Sequence, residues 1–525
     1  MKYPSKTADW LLCIASAVLL ILAFPRTDLW VCAWVGLVPL MLVLDGKKPR
    51  EAFRSAYLCG VMFFTGTLYW FFNVTQWFSY IAVVGVLLLL LYLALYFGAF
   101  GLIYSLFSRR KSLVRLFMLP CAWVSLELIR ATLFTGFDWA SLGQSQYRNL
   151  PVIQIAHVTG MFGVSFLIVM VNVVLKELIT TCFIRKTPGT QKELSVIMWV
   201  TTVTVAAVVG YGALCLSPSR DPKPTAPGLS VAIIQPNIPQ EIKWQESSNL
   251  LTVGKHIALT KQAAEHEPDL IIWPETSYPD YLWEENRLFT QVLALVRRIK
   301  IPILFGSVIK EDGNYYNAAI LLSRDAQIVE TYRKIHLVPF GEFIPLRRYL
   351  PFVSDLLDIG DFTRGTEKTI FPSLAGGRKN GVFSVLVCFE DTVARLSRGF
   401  VQQGAQLLVN ITNDAWFGNS KAPFMHLQSA VFRAVENRRG LVRAANTGVS
   451  CFIDRSGRII GYVNDRNEGK NEKTYVSGYA IARMVFNGKE TFYTKFGDVF
   501  AILCFGCILM GIAAGKRRMV KRNNI

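Results

Sequence analysis

Cys388 ends the apolar run GVFSVLVC and is followed at once by Phe389, Glu390 and Asp391, which puts a thiol where a strand meets its loop, among acidic groups. A thiol with a pKa of about 8.5 needs a base or a positive field before it attacks anything. Histidine does not supply one locally: His157, His256, His266, His336 and His426 all lie away from it in sequence. They have no metal-ligand spacing and HExxH is missing, so neither metal nor cofactor is expected. Two other strand ends carry better candidates. Glu275 closes DLIIWPE, with Pro274 fixing the backbone before it. Lys334 lies in YRKIHLVPFGEFIP, and Glu342 follows eight residues later, after a glycine that permits a tight turn. Singly, a glutamate after a strand reads as a helix cap and a lysine as surface. Together they supply a nucleophile, a base and a cation. The second cysteine of this region, Cys451, sits inside the run GVSCFID and reads as core.

The elements that deliver these residues are short β-rich runs separated by polar helical stretches: LSVAIIQPNIP, DLIIWPE, IPILFGSVI, NAAILLS, GVFSVLVCFE, AQLLVNITNDAW and TGVSCFIDRSG. Strands alternating with helices predict a layered α/β domain over 228–490. The Pro-rich stretch 217–227 before it reads as a semi-rigid linker.

The rest of the chain has a different texture. Of 525 residues, 52% are hydrophobic and only 18% charged, and the mean hydropathy is +0.34, too apolar for an ordinary soluble enzyme. Residues 1–216 repeat one pattern, an apolar run long enough to cross a ~30 Å hydrocarbon layer followed by a short loop. Seven helices are predicted there, near 10–24, 29–44, 56–72, 80–107, 116–134, 161–184 and 194–216, and an eighth at 496–515 precedes a basic tail, 516–525. The first is read as a retained helix, because no small-residue cleavage site follows it. The net charge of +19 divides into roughly +6 over 217–495 and about +13 elsewhere, so it tracks membrane flanks and not a nucleic-acid face. One side of the helix set collects Lys47, Lys48, Arg50, Arg109, Arg110, Lys111, Arg185 and Lys186, with the tail, whereas the other has only Arg26 and Arg148. Both termini are therefore expected in the cytoplasm and the α/β domain outside. Inside the bundle, Glu127 and Arg130 at i,i+3 are expected to pair with each other. Trp70, Phe71, Trp77, Phe78 and Trp139 are read as an interfacial aromatic belt.

The Glu275, Lys334 and Cys388 segments, WPET, YRKIHLVPFGE and VLVCFED, resemble the carbon-nitrogen hydrolase, or nitrilase, superfamily. QPNIPQEIKW with Trp244, NITNDAWFG with Trp416 and RAVENRRGLVRAANTGVS add to the likeness, which with eight helices narrows to the superfamily's lipoprotein-acylating membrane branch. That resemblance implies an αββα sandwich on the periplasmic side of a bacterial inner membrane. It implies Glu275, Lys334 and Cys388 as catalytic residues, and an acyl chain passed from a phospholipid, through a Cys388 thioester, to the α-amine of a diacylated apolipoprotein. Glu342 is expected to orient Lys334 or the amine and Glu390 to support the Cys388 loop, with Trp244 and Trp416 as further positioning residues. Phe389 stands where some members carry tyrosine. The alternative is a membrane-anchored amidase with water as acceptor. A transporter or scaffold carrying an inactive domain is disfavoured by the complete trio.

Overall fold

A computed structural model describes residues 6–77, 80–184, 190–218, 226–243, 245–281, 287–345, 361–372, 381–464, 472–486 and 489–523. The chain divides into two units, one made of residues 1–72, 82–217 and 496–525, the other of residues 73–81 and 218–495.

Among its described residues the second unit has eleven strands: β1 (Gly228–Gln235), β2 (Leu270–Ile272), β3 (Ile303–Glu311), β4 (Asn314–Leu322), β5 (Ile328–Arg333), β6 (Phe383–Val387), β7 (Leu407–Thr412), β8 (Gly440–Ala445), β9 (Cys451–Ile453), β10 (Ile459–Tyr462) and β11 (Gly478–Val485). They form a six-stranded sheet, β11-β1-β2-β3-β4-β5, and a five-stranded sheet, β10-β9-β8-β7-β6. In the first, β1, β2 and β3 run parallel; in the second, β6, β7 and β8 do. Parallel strands are buried on both faces, and β2, β6, β7 and β8 are buried at every residue.

The sheets pack face to face through Val231, Ile233, Ile272 and Leu304 on one side and Val385, Val387, Val409, Ile411 and Val442 on the other. On the outer face of the first sheet Ala232, Ile271, Ile303 and Phe305 meet Val253 of the helix Asn249–Ala264 and Val292 of the helix Arg287–Ile299. The helices Ala394–Gln402 and Ala422–Asn437 accompany the second sheet, which completes the αββα layering. Sequence reading anticipated seven of the strands; β5, β8, β10 and β11 are additional. Cys451 is fully buried in β9, as its apolar setting predicts.

Among the described residues of the first unit, four helices are long and apolar enough to cross a membrane: Ile81–Phe107, Ser112–Thr132, Met161–Phe183 and Gln191–Cys215. A fifth span arises if Pro49–Leu68 and Phe71–Trp77, bent by 55°, count as one. Helices also occupy the other predicted positions, but are shorter or broken: Lys6–Leu22, Trp30–Leu44 and Val499–Ala514.

Two expectations for this unit are corrected. Glu127 and Arg130 make no ion pair with each other among the described residues. Glu127 Oε1 accepts from Trp123 Nε1 (2.9 Å) and from the Leu142 N–H (2.7 Å), while Arg130 donates to the Trp139 carbonyl and to Ser141 Oγ (2.7 Å). Irregular backbone among apolar helices needs hydrogen-bond partners, and the two charges satisfy the 137–147 segment instead of each other. Trp70 and Trp139 are not a belt either: they are 0% and 3% exposed, with ring centroids 4.7 Å apart. Phe78 lies outside the described residues.

Candidate active site

Four strand ends converge in the α/β unit. β2 runs through Trp273 and Pro274 to Glu275, and β3 holds that turn from the side: the Gly306 N–H bonds the Pro274 carbonyl (3.2 Å) and the Trp273 N–H the Leu304 carbonyl (2.8 Å). β5 ends at Arg333, and the next N–H, that of Lys334, bonds the Asn317 carbonyl on β4 (2.8 Å). β6 ends at Val387, and Cys388 opens the 3-10 turn Cys388–Thr392 in the left-handed region, at φ 53°. A non-glycine residue there stores strain that its surroundings must hold. The Cys388 carbonyl is held by Asn410 Nδ2 (3.0 Å) and His426 Nε2 (3.1 Å). β7 ends at Thr412, and the Asn413 N–H that follows reaches across to Glu275 Oε2 (2.8 Å).

Glu275, Lys334 and Glu342 are 6%, 1% and 9% exposed. Lys334 Nζ lies 2.9 Å from Glu342 and 3.8 Å from Glu275 Oε1. Asn317 Nδ2 ties the carboxylates together, donating to Glu275 Oε1 (2.8 Å) and Glu342 Oε1 (2.9 Å). Glu342 Oε2 also accepts the Val338 N–H (2.8 Å). Burial alone lowers a lysine's proton affinity, but Glu342 and Glu275 outweigh it and hold Lys334 charged, above its usual range. Burial, and then the Glu275 carboxylate, push the Cys388 thiol well above its ordinary value; Lys334 and a hydrogen bond with Thr412 oppose them. Cys388 therefore rests as a thiol, with a carboxylate and an ammonium in its field.

Glu390 is fully buried. It accepts from Tyr332 OH (2.8 Å) and the Ile335 (2.8 Å), His336 (2.9 Å) and Val387 (2.8 Å) N–H groups, joining the Lys334 segment to the Cys388 turn. Burial raises its pKa to about 7 against these hydrogen bonds. Phe389 stacks on His336 (5.8 Å, 20°). Trp416 meets Trp77 edge-on at 6.2 Å, within the same unit, where Asn73 Nδ2 also donates to the Phe417 carbonyl (2.9 Å). Trp244 lies outside the described residues.

Sequence reading missed Asn317, Asn413 and Thr412. The asparagines stand at the polar edges of apolar runs, NAAILLS and LLVNITND, a pattern shared with ordinary loop residues. It also missed the charged cluster behind the turn, where Arg443 bridges Asp391 (2.8 Å) and Asp414 (2.9 Å) and His426 contacts both carboxylates. No group of metal-ligating side chains occurs among the described residues.

Residues 230–482, which carry this sandwich and the strand ends that converge in it, match the carbon-nitrogen hydrolase family. Residues 16–174 match the apolipoprotein N-acyltransferase N-terminal domain. The apolipoprotein N-acyltransferase of Geobacter metallireducens is 40% identical over 98% of this chain and 96% of its own length. Those of Allorhizobium ampelinum, 30% identical over 93% and 94%, and Methylococcus capsulatus, 33% over 97% and 96%, are similar along almost their whole lengths. Among solved structures, Saccharomyces cerevisiae Nit3, of branch 10 of the nitrilase superfamily, gives a TM-score of 0.36 at 16% identity over 49% of this chain and 90% of that one. The chain belongs to the apolipoprotein N-acyltransferase family; it is an acyltransferase of the nitrilase superfamily with membrane character.

Proposed function

We propose that the protein moves a fatty acyl chain from a membrane phospholipid to the α-amino group of an apolipoprotein's N-terminal diacylglyceryl-cysteine, through a thioester on Cys388. Glu275 takes the proton from Cys388 Sγ as the thiolate attacks the ester carbonyl. Lys334 stabilises the oxyanion, and Glu275 returns the proton to the departing lysophospholipid oxygen. In the second half the acceptor amine attacks the thioester. Glu275 takes the amine's proton, the C–S bond breaks, and the thiolate recovers a proton as the amide is released. An α-amine with a pKa of about 7.7–8.0 is partly neutral at pH 7, so it attacks without extreme activation. Glu342 orients Lys334, and Glu390 fixes the turn that carries Cys388.

One observation carries this reading: a thiol at a strained strand end shares a buried, hydrogen-bonded site with a carboxylate and an ammonium. The apolar unit has a physical reason as well. Drawing a sixteen-carbon chain into water costs about 12 kcal/mol at ~0.8 kcal/mol per CH₂, so both substrates stay in the bilayer. In this reading the chain comprises a helical bundle (1–216), a linker (217–227), a periplasmic catalytic domain (228–490), a closing span (496–515) and a basic cytoplasmic tail (516–525). Eight spans in the bacterial inner membrane put both termini in the cytoplasm.

Intact-mass spectrometry of protein incubated with phospholipid, wild type beside Cys388→Ala, tests it. A fatty-acyl mass that hydroxylamine removes, present only with Cys388, is expected; an acceptor peptide should then discharge it with amide formation. No adduct in the wild type would sink the thioester route. Free fatty acid released without any need for acceptor would favour the amidase-type hydrolase.

A further inference from the structure

Lys243 ends the short helix Gln240–Lys243, and the machinery described so far does not use it. Its side chain is 2% exposed. The ammonium has three donors, yet among the described residues its one hydrogen bond goes to a neutral partner, the main-chain carbonyl of Glu275, at 3.1 Å; no carboxylate pairs with it there. The same helix is tied to the site by Gln240 Oε1, which accepts from Asn413 Nδ2 (3.0 Å). A buried cation without a carboxylate is costly, which calls for a reason at this place.

The charges around Cys388 supply one. Glu275 and Glu342 bring two negative charges and Lys334 one positive, leaving the cluster at −1 before chemistry starts. Transfer of the thiol proton to Glu275 keeps that sum at −1 but moves the negative charge onto the thiolate and then the tetrahedral oxyanion, in a site of low polarisability where uncompensated charge is heavily penalised. Lys243 brings the resting sum to zero. We propose that Lys243 is a positioning residue of this site: its charge, held against the Glu275 backbone and left without a carboxylate of its own, compensates the second carboxylate and lets negative charge develop at Cys388. This rests on the reading of Cys388 as nucleophile. Three titratable groups face Lys243. Glu275 and Cys388 favour its charged form, and burial, the larger effect, brings its pKa down to about 8. His256, on the helix Asn249–Ala264, is lowered to about 4 by burial and stays neutral. Lys243 is therefore charged at neutral pH and loses its charge above about 8.

Two readouts on the full-length protein in lipid nanodiscs test this. The first is the rate of iodoacetamide alkylation at the Cys388 peptide. Lys243→Met should slow it about tenfold or more at about pH 7.5, with Lys243→Arg within about threefold of wild type and both melting near it. The second is the rate of acyl-enzyme formation between about pH 6 and 10. Wild type should decline above about pH 8, and in Lys243→Arg, whose guanidinium keeps its charge, that decline should be absent. Equal alkylation rates in wild type and Lys243→Met, or an unmoved alkaline limb in Lys243→Arg, would overturn the inference. An arginine variant as impaired as the methionine one would also overturn it, in favour of packing. If wild type forms no acyl-enzyme, the reading of Cys388 fails, and the alkylation comparison still decides whether Lys243 acts on that thiol.

Discussion

At the scale of single residues, the site works through groups held by several partners at once. Glu390 shows why. Its oxygens accept from one hydroxyl and three backbone N–H groups. A glutamine keeps one acceptor oxygen but turns an NH₂ toward N–H donors, leaving at least one buried donor unpaired at about 1–3 kcal/mol. Glu390→Gln is expected to lower the melting temperature and to remove most acyl-enzyme formation, because in the proposed function it fixes the turn that carries Cys388. The pH dependence has a definite sign. Because the folded-state pKa of Glu390 is raised to about 7, the stability this group contributes is fully present below the ordinary glutamate value and is lost as pH rises through about 7. The variant has no such group. The stability gap between wild type and variant should therefore be wider at about pH 5 than at about pH 8, by up to about 3 kcal/mol. Thermal denaturation at both pH values reads it, and a gap that widens toward alkaline pH would refute the assignment.

At the scale of elements, what positions Glu275 is the backbone of its neighbour. An added Cβ at Gly306 on β3 would stand 2.6 Å from the Thr276 nitrogen, 2.7 Å from Glu275 Cα and 2.9 Å from the Pro274 carbonyl oxygen. These are backbone atoms and do not swing aside. Gly306→Ala is expected to cost about 1–3 kcal/mol through overpacking and to reduce the rate of acyl-enzyme formation at least about tenfold by shifting the Glu275 turn, since small misplacements of catalytic groups are costly. A variant destabilised to that extent but with wild-type acylation would show that the turn tolerates movement. The elements also mark what sequence alone could tell. The fully buried strands β2, β6 and β7 were legible because each is a short, mainly apolar run, LII, FSVLV and LLVNIT, with polar residues soon after it, so the positions of Glu275 and Cys388 could be read with them. β5 was not: IVETYR has no buried run, since it takes its identity from pairing with β4. Lys334, at its end, was found by residue type and not by the strand. Asn317, Asn413 and Lys243 stayed hidden because their significance is a contact across 25 to 138 residues of chain, and spacing along the sequence does not carry such contacts. Glu127 and Arg130 misled for a related reason. Local i,i+3 proximity pointed to a pair, whereas the hydrogen-bonding needs of the 137–147 segment claimed both charges.

At the scale of the whole molecule, the chain combines a unit whose helices expose leucine, valine and phenylalanine with one whose core is closed between two sheets. The proposed chemistry needs both substrates to stay in lipid, so the side of the bilayer on which the α/β unit lies decides which acceptors it can meet. Lysine and arginine resist translocation, and the 109–111 cluster, Arg109-Arg110-Lys111, stands between the helices Ile81–Phe107 and Ser112–Thr132. Lys310, at the end of β3, is exposed on the α/β unit. Single cysteines at these two positions separate the possibilities. In spheroplasts, Lys310→Cys is expected to react with a membrane-impermeant maleimide, while Lys111→Cys should react only after the membrane is permeabilised. The reverse pattern would put the α/β unit in the cytoplasm, away from translocated lipoproteins, and would overturn the proposed acceptor while leaving the thioester chemistry to be tested separately. Labelling of both in intact spheroplasts would mean that the 109–111 loop faces outward like the α/β unit. The parity of spans between them would then be wrong, and with it the eight-span reading, because the two positions can share a side only if an even number of crossings separates them.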